Sequence, residues 1–390
     1  MAASGLGVGR AHRTTVAASM AIVLSAVPPF FTGALVTIMR RDLDVGTDRL
    51  GIVVAVYFAA GAVAAIPGGR LVERLGPRRG ILVAATLTTG SLITIALLSR
   101  SWVQLALAMA VAGAANGMQH PGTNLAILRE VPVHRHGVAF GIKQAAAPTA
   151  TLLAGSALSA VALTAGWRWV FLTAALMLPL IALILPASSP NGSPRVRNKP
   201  TAPTRILIQI AVAAGFGFGA ATTLGAFLVD SVVTSGGSAR SAGYALAAAS
   251  AACITVRLGV GWYTDRLESP SLGLVVGLLA VGATGFVALA VAGSAPLWPV
   301  AAVVALGAGW GWPGLLYHAV AAANPDAPAS ATAFTTVGNT LGGAVGPVAF
   351  GLVASRASYA AGWTLSAAMA ILAALILLPL RHQLDPRTRS

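Results

Sequence analysis

Apolar residues follow one another in long unbroken stretches along this chain instead of alternating with polar ones. A helix needs about 20 apolar residues to cross a hydrocarbon core of about 30 Å. Runs of that length, separated by charges, Pro or Gly-rich turns, fall at 15–39, 50–70, 80–99, 102–128, 137–163, 168–186, 205–233, 241–263, 271–292, 296–322, 328–354 and 359–380, twelve in all. The short alternating segments of an outer-membrane barrel are absent. The pattern predicts an all-α polytopic membrane protein with twelve transmembrane helices. One stretch breaks it: Ala187–Thr204 is rich in Pro and Ser, carries Arg195, Arg197 and Lys199, and is too polar to cross a membrane. It reads as a basic linker (187–204) between two six-helix bundles, 1–186 and 205–390.

Composition agrees. Hydrophobic residues make up 56% of the chain and charged ones 9%, with mean hydropathy +0.81; soluble domains carry about 25% charged residues. A soluble multidomain enzyme is excluded. The net charge of +15 would fit a nucleic-acid partner only if it formed a patch. The Lys and Arg instead lie in short clusters between apolar runs, so the expected partner is a lipid bilayer and not nucleic acid. Seventeen of them fall on the side of both chain ends and seven on the other, Lys143 lying within a span. The positive-inside rule then places both termini in the cytoplasm of a multi-pass cell (plasma or inner) membrane protein. Arg10 and Arg13 precede the first run without a small-residue cleavage site, so that run reads as an uncleaved helix. Cys253 is the single cysteine, and packing is its expected role.

The two halves repeat each other. Gly69, Glu73, Arg74 and Leu75 recur 192 residues later as Gly261, Asp265, Arg266 and Leu267, and Pro121 recurs as Pro313. Ala139-Phe140 returns as Ala333-Phe334 and Ala165-Gly166-Trp167 as Ala361-Gly362-Trp363. Parallel six-helix repeats joined by a linker are a transporter architecture.

Between the second and third spans stands Gly69-Arg70-Leu71-Val72-Glu73-Arg74-Leu75-Gly76-Pro77-Arg78-Arg79, with a shortened echo at Gly261-Trp262-Tyr263-Thr264-Asp265-Arg266-Leu267. It resembles the G-x-x-x-D-R-x-G-R-R/K loop of the major facilitator superfamily, with Glu73 in the acidic place and Pro77 where a base is usual. The resemblance covers the full length and implies the twelve-helix fold of that family, alternating access and a monomer. It also implies that Gly69, Glu73, Arg74, Gly76, Arg78, Arg257, Gly261, Asp265 and Arg266 form a cytoplasmic latch; read without it, these residues are positive-inside anchors. Proton-coupled drug antiporters of the family usually carry an Arg in helix 4 and G-x-x-x-G-P in helix 5. Leu105–Gly117 has no base, and the similar string Gly342–Pro347 lies in helix 11.

Polar side chains within spans are costly in lipid and so mark a cavity or a partner. Asn116, His120 and Asn124 share one helical face, flanked by Gln119 and Thr123; they line a cavity or glue the bundle. Lys143, followed by Gln144, either snorkels to the interface or receives an anionic group, and the small residues Gly141, Ala145, Ala146 and Ala147 leave room for the second reading. Trp310, Trp312 and Tyr317 or His318 in helix 10, with Asn339 in helix 11, are further candidates; Tyr317 and His318 point about 100° apart. Asp230 falls near the outer mouth, where an exposed helix-end carboxylate is expected, and any coupled proton would fall to His120, Asp230 or His318.

No cofactor or metal site is expected: there is no thiolate pair, His/Cys metal spacing or phosphate-binding loop. The leading expectation is a secondary transporter of a small solute, an organic anion held by Lys143. Efflux of hydrophobic drug-like compounds is the alternative. A lipid-linked membrane transferase would need paired acids, and a sensor an appended soluble domain; neither feature is seen.

Overall fold

The protein is described by a computed structural model; the description covers residues 2–132, 136–187, 202–266, 272–292, 297–324 and 328–383. The linker 188–201 lies outside it. So do the side chains of Gly261, Asp265 and Arg266 in the second-half echo.

Among the described residues twelve helical segments follow one another, with a short last turn at Leu380–Gln383: α1 (Ala2–Leu43), α2 (Thr47–Leu75), α3 (Pro77–Leu97), α4 (Trp102–Glu130), α5 (His136–Gln144 and Ala146–Ala157, continued to Ala165), α6 (Trp167–Ala175 and Met177–Ile184), α7 (Thr204–Thr234), α8 (Ala239–Arg266), α9 (Leu272–Ala292), α10 (Trp298–Gly307 and Pro313–Ala322), α11 (Pro328–Arg356) and α12 (Tyr359–Leu377). Ten are long and apolar enough to cross a membrane by length and composition. The other two are α4, diluted by its polar middle, and α10, which is broken. The fold is the all-α, two-repeat architecture that the hydropathy predicts. The start of α1, the α2–α3 turn and the end of α12 share one face, the terminal face; the α1–α2 turn lies on the opposite, distal face.

Three segments expected to be continuous are interrupted, each beside a proline. Proline has no N–H to give the carbonyl four residues back. Pro148 follows the α5 break at Ala145, Pro179 the α6 break at Leu176, and Pro313 the α10 break at residues 308–312. The α2–α3 turn shows the opposite device. Gly76 adopts φ +80° and donates its N–H to the Val72 carbonyl, closing α2, while Pro77 opens α3 at its first turn.

Within each half, helices approach at backbone distance through small residues. A Cβ on Gly113 of α4 would stand 2.0 Å from the Tyr57 carbonyl oxygen of α2, and one on Gly338 of α11 2.0 Å from that of Ala211 in α7. The repeated tryptophans make matching ties: Trp167 Nε1 on α6 donates to Asp42 at the end of α1, and Trp363 Nε1 on α12 donates to Ser231 near the end of α7. Asp42 lies beyond the apolar stretch of α1. The Arg168 and Trp167 hydrogen bonds hold its carboxyl below the ordinary range, so this tie is formed at neutral pH and is lost only as acid protonates the carboxylate.

The two halves meet mainly towards the distal face. There Gly33 of α1 lies on Ala226 of α7, Gly51 of α2 on the Pro347 carbonyl of α11, and Gly155 of α5 on the Gly243 carbonyl of α8. The α2–α11 seam runs inward to Phe58 on Gly343 and then ends: Ile66 is 68% exposed and Thr336 is exposed. Along this seam the halves are therefore closed distally and parted terminally, while the start of α5 keeps contact with α8 and α10. Gly51→Leu puts a side chain where even a Cβ would lie 2.5 Å from Pro347 O, and overpacking of this kind costs about 1–3 kcal/mol. It should hold the distal face open, read as increased labelling of a cysteine placed at Ala226 in a Cys253→Ala background.

Candidate functional site

Polar side chains from the first half gather around Lys143, about two turns into α5 from its terminal end. Its ammonium is buried (4% exposed), donates to Asn124 Oδ1 of α4, and lies 6.0 Å from the centre of the Phe140 ring. The ion pairs among the described residues join Arg10 to Glu130, Arg40 to Asp230, Arg49 to Asp44 and Arg168 to Asp42, and Lys143 belongs to none of them. His120, one turn before Asn124, lies within electrostatic reach of the ammonium. A turn further along the face, Asn116 Oδ1 accepts from Ser25 Oγ of α1 at 2.9 Å, and Tyr57 Oη donates to the Ser25 carbonyl at 2.6 Å. Gln119 is wholly buried, and neither atom of its amide has a partner.

The second half supplies a separate cluster. Asn339 Nδ2 donates to Tyr317 Oη at 3.2 Å, and Tyr317 Oη also bonds Thr336 Oγ1. The Asn339 Oδ1 atom has no partner. His318, on the other side of α10, is exposed and does not join this cluster. Trp310 and Trp312 are buried within the protein. Trp312 Nε1 donates to the Gly309 carbonyl at 2.9 Å, the very carbonyl that Pro313 cannot serve.

Two charged residues differ from their sequence reading. Arg257 was expected beside Asp265 in the latch. It lies nine residues before the end of α8, about 13 Å along the helix, and turns into the protein: Nε and Nη2 donate to the Trp310 carbonyl at 3.0 and 2.7 Å, and Nη1 donates to the Gln144 carbonyl of the first half. Asp230 was expected to be exposed. It is wholly buried near the distal end of α7, because Arg40 Nη2 of α1 contacts both carboxylate oxygens at 2.6 Å. Thr47 of α2 and Tyr359 of α12 also donate to it. Arg40 and Thr47 come from one half, Asp230 and Tyr359 from the other, so the cluster is a tie across the distal face. Its members stand 190 residues apart, close to the repeat spacing, and opposite charges at matching helix ends were the available signal. In the motif loop, Glu73 and Arg74 are exposed with no partner among the described residues, while Arg78 donates to the Leu185 carbonyl at 3.3 Å.

An aromatic line that the spacing did not reveal separates the distal tie from the polar site. Phe30 packs on Trp310 (centroids 5.4 Å apart), Trp310 on Phe218 (6.0 Å), Phe218 on Phe58 (6.0 Å) and Phe58 on Tyr57 (5.1 Å). It passes from first half to second and back.

The profile of the Major Facilitator Superfamily matches residues 15–336 and 210–390. The chain belongs to the major facilitator superfamily. Solved structures similar in fold include a D-xylose–proton symporter (TM-score 0.77, 15% identity, 94% of this chain and 97% of that one). Another is a bacterial homologue of the human lysosomal transporter Spinster, solved inward-facing and occupied (TM-score 0.73, 16% identity, 94% and 95%). An uncharacterised MFS-type transporter of Mycobacterium tuberculosis is 33% identical over 135 residues, which is 35% of this chain and 23% of that protein. This superfamily member is therefore a multi-pass membrane protein with the fold of membrane transporters.

The distal tie can be tested alone. Asp230→Asn removes the carboxylate charge and leaves Arg40 uncompensated at a partly exposed site, a loss of about 1–3 kcal/mol. Labelling of the Ala226→Cys reporter should rise, and Arg40→Ala should act in the same direction.

Proposed function

We propose that this transporter carries a small organic anion across the cell membrane by alternating access, with both chain termini in the cytoplasm. The observation that carries the substrate reading is the buried ammonium of Lys143, which has an amide oxygen and an aromatic face for company and no carboxylate. An uncompensated charge at such depth costs several kcal/mol, and a solute's anionic group would remove that cost. Asn124 fixes the ammonium, and His120, Asn116, Gln119, Gln144, Trp310, Tyr317 and Asn339 are its proposed companions around the solute. The basic loops favour a cytoplasmic terminal face, and the closed distal tie then makes the present state inward-facing. Working as a monomer is part of the proposal, as are the domain limits 1–186, 187–204 and 205–390.

Alternating access needs a tie on each face, formed in turn. The Arg40–Asp230 tie serves the distal face, and the motif loops serve the terminal one. With the halves parted terminally, Glu73 and Arg74 stand free, as a released latch would. Arg74→Ala should therefore favour the present state and raise labelling of a cysteine on the terminal part of α11, such as Thr336→Cys. Proton coupling, where it operates, is assigned to His120 beside Lys143 or to Asp230 within the tie; His318, exposed on the far side of α10, is the weakest of the three candidates.

Efflux of lipophilic compounds is the second reading, favoured by the aromatic line from Phe30 to Tyr57. A thermal-stability screen of the purified protein separates the two. A ligand at about one hundred times its dissociation constant adds about 2.7 kcal/mol to the folded state. Small organic anions should give such stabilisation, and Lys143→Gln should abolish it. Stabilisation by lipophilic cations alone would overturn the anion reading.

A further inference from the structure

We infer that the transported anion is a dicarboxylate, and that Arg257 on α8 binds its second carboxylate. The inference rests on the anion reading above and extends it from one half of the molecule to both.

Arg257 is half-buried in the terminal third of α8 and, like Lys143, belongs to none of the ion pairs among the described residues. Its present partners are backbone carbonyls at two helix breaks. Gln144 O has lost its helical donor to Pro148, and Trp310 lies in the irregular turn of α10. Satisfying two carbonyls needs N–H donors but no charge. A guanidinium nonetheless stays charged under all relevant conditions, so a fixed positive charge stands there without a counter-ion. Three of its five N–H groups serve these carbonyls, and the Cys253 thiol one turn earlier on α8 lies within hydrogen-bond reach of the guanidinium. With the Gln144 carbonyl released, the two terminal nitrogens can meet the two oxygens of a planar carboxylate.

Two neighbouring features point the same way. Trp310, whose ring lies 5.6 Å from the guanidinium carbon, is wholly buried with its Nε1–H unpartnered. On the other side, Gln144, whose carbonyl Arg257 holds, directly follows Lys143 in the chain. The two uncompensated cations thus flank one helix break, Lys143 from the first half and Arg257 from the second. A monoanion would neutralise one and leave the other. A dianion neutralises both and touches both halves at once, with Arg257 exchanging the Gln144 carbonyl for the solute.

The test uses purified full-length protein and the linear C4–C6 dicarboxylates, each compared with its monomethyl ester, which keeps the shape and loses one charge. For the wild type, at least one diacid should bind at least about tenfold more tightly than its ester in calorimetry or thermal-shift titration. Arg257→Gln should reduce diacid affinity to that of the ester and leave ester affinity within about twofold. Arg257→Lys, which keeps the charge but loses the fork, should retain part of the preference. Equal binding of diacid and ester by the wild type, a comparison that needs no variant, would overturn the inference while leaving a monoanion transporter intact. A diacid preference that survives in a folded Arg257→Gln protein would also overturn it. Absence of binding by every diacid and every ester would remove the anion reading together with it.

Discussion

A polar group carried into a bilayer has no water to fall back on, so it must find its partner inside the protein or remain unpaired at a cost of several kcal/mol. Much of this molecule's middle follows from that requirement. Prolines in α5 and α10 break the helices and strip carbonyls of their donors. The chain answers each break with a side chain: Trp312 Nε1 serves Gly309 O, and Arg257 serves Gln144 O. The same guanidinium serves Trp310 O as well. It joins a break in one half to a break in the other, so backbone geometry and inter-half contact become a single problem.

Helix association in lipid receives little help from hydrophobic burial, because the solvent is itself apolar. Within each half, cohesion comes from glycine seams such as Gly113 on Tyr57 and Gly338 on Ala211, where backbones meet with no side chain between them. Between the halves the contacts are of mixed kind: small-residue contacts such as Gly33 on Ala226 and Gly351 on Thr47, an aromatic line, and hydrogen bonds including Thr151 to Ser250 and Ser159 to the Arg240 carbonyl. Rigid halves joined by a breakable interface permit rocking without unfolding.

The fold was largely legible because its signal is long-range and redundant. Twelve apolar runs each supply about 20 residues of evidence, and the Gly69–Arg79 loop has a spacing that the matching Gly76 turn explains. The site was less so. Asn116, His120 and Asn124 could be placed on one face from helical spacing alone, and Lys143 stood out as a base within a span that no motif claimed. Arg257 could not be placed. Counting along α8 puts it two turns from Asp265, whereas its direction is set by a carbonyl 113 residues away in another half. Asp230 was misjudged for a related reason. Its burial depends on Arg40, Thr47 and Tyr359, none near it in sequence, and only the repeat spacing hinted that the ends of α1 and α7 meet. The aromatic line has no periodic signature, since its five rings come from α1, α2, α7 and the turn of α10.

The placement of these charges also bears on how a solute could move the halves. Lys143 is anchored within its own half through Asn124, so a ligand there changes little across the interface. Arg257 is different, because one of its bonds already crosses from α8 to α5. A ligand shifts a conformational equilibrium only by its differential affinity for the two states. A group that competes for a bond spanning the interface has such a difference built in, whereas one that fills a pocket in a single half does not. Under the dicarboxylate proposal, coupling between binding and rocking would therefore belong to Arg257 more than to Lys143. The distal tie of Arg40 and Asp230 then sets how much of that coupling is needed to open the other side.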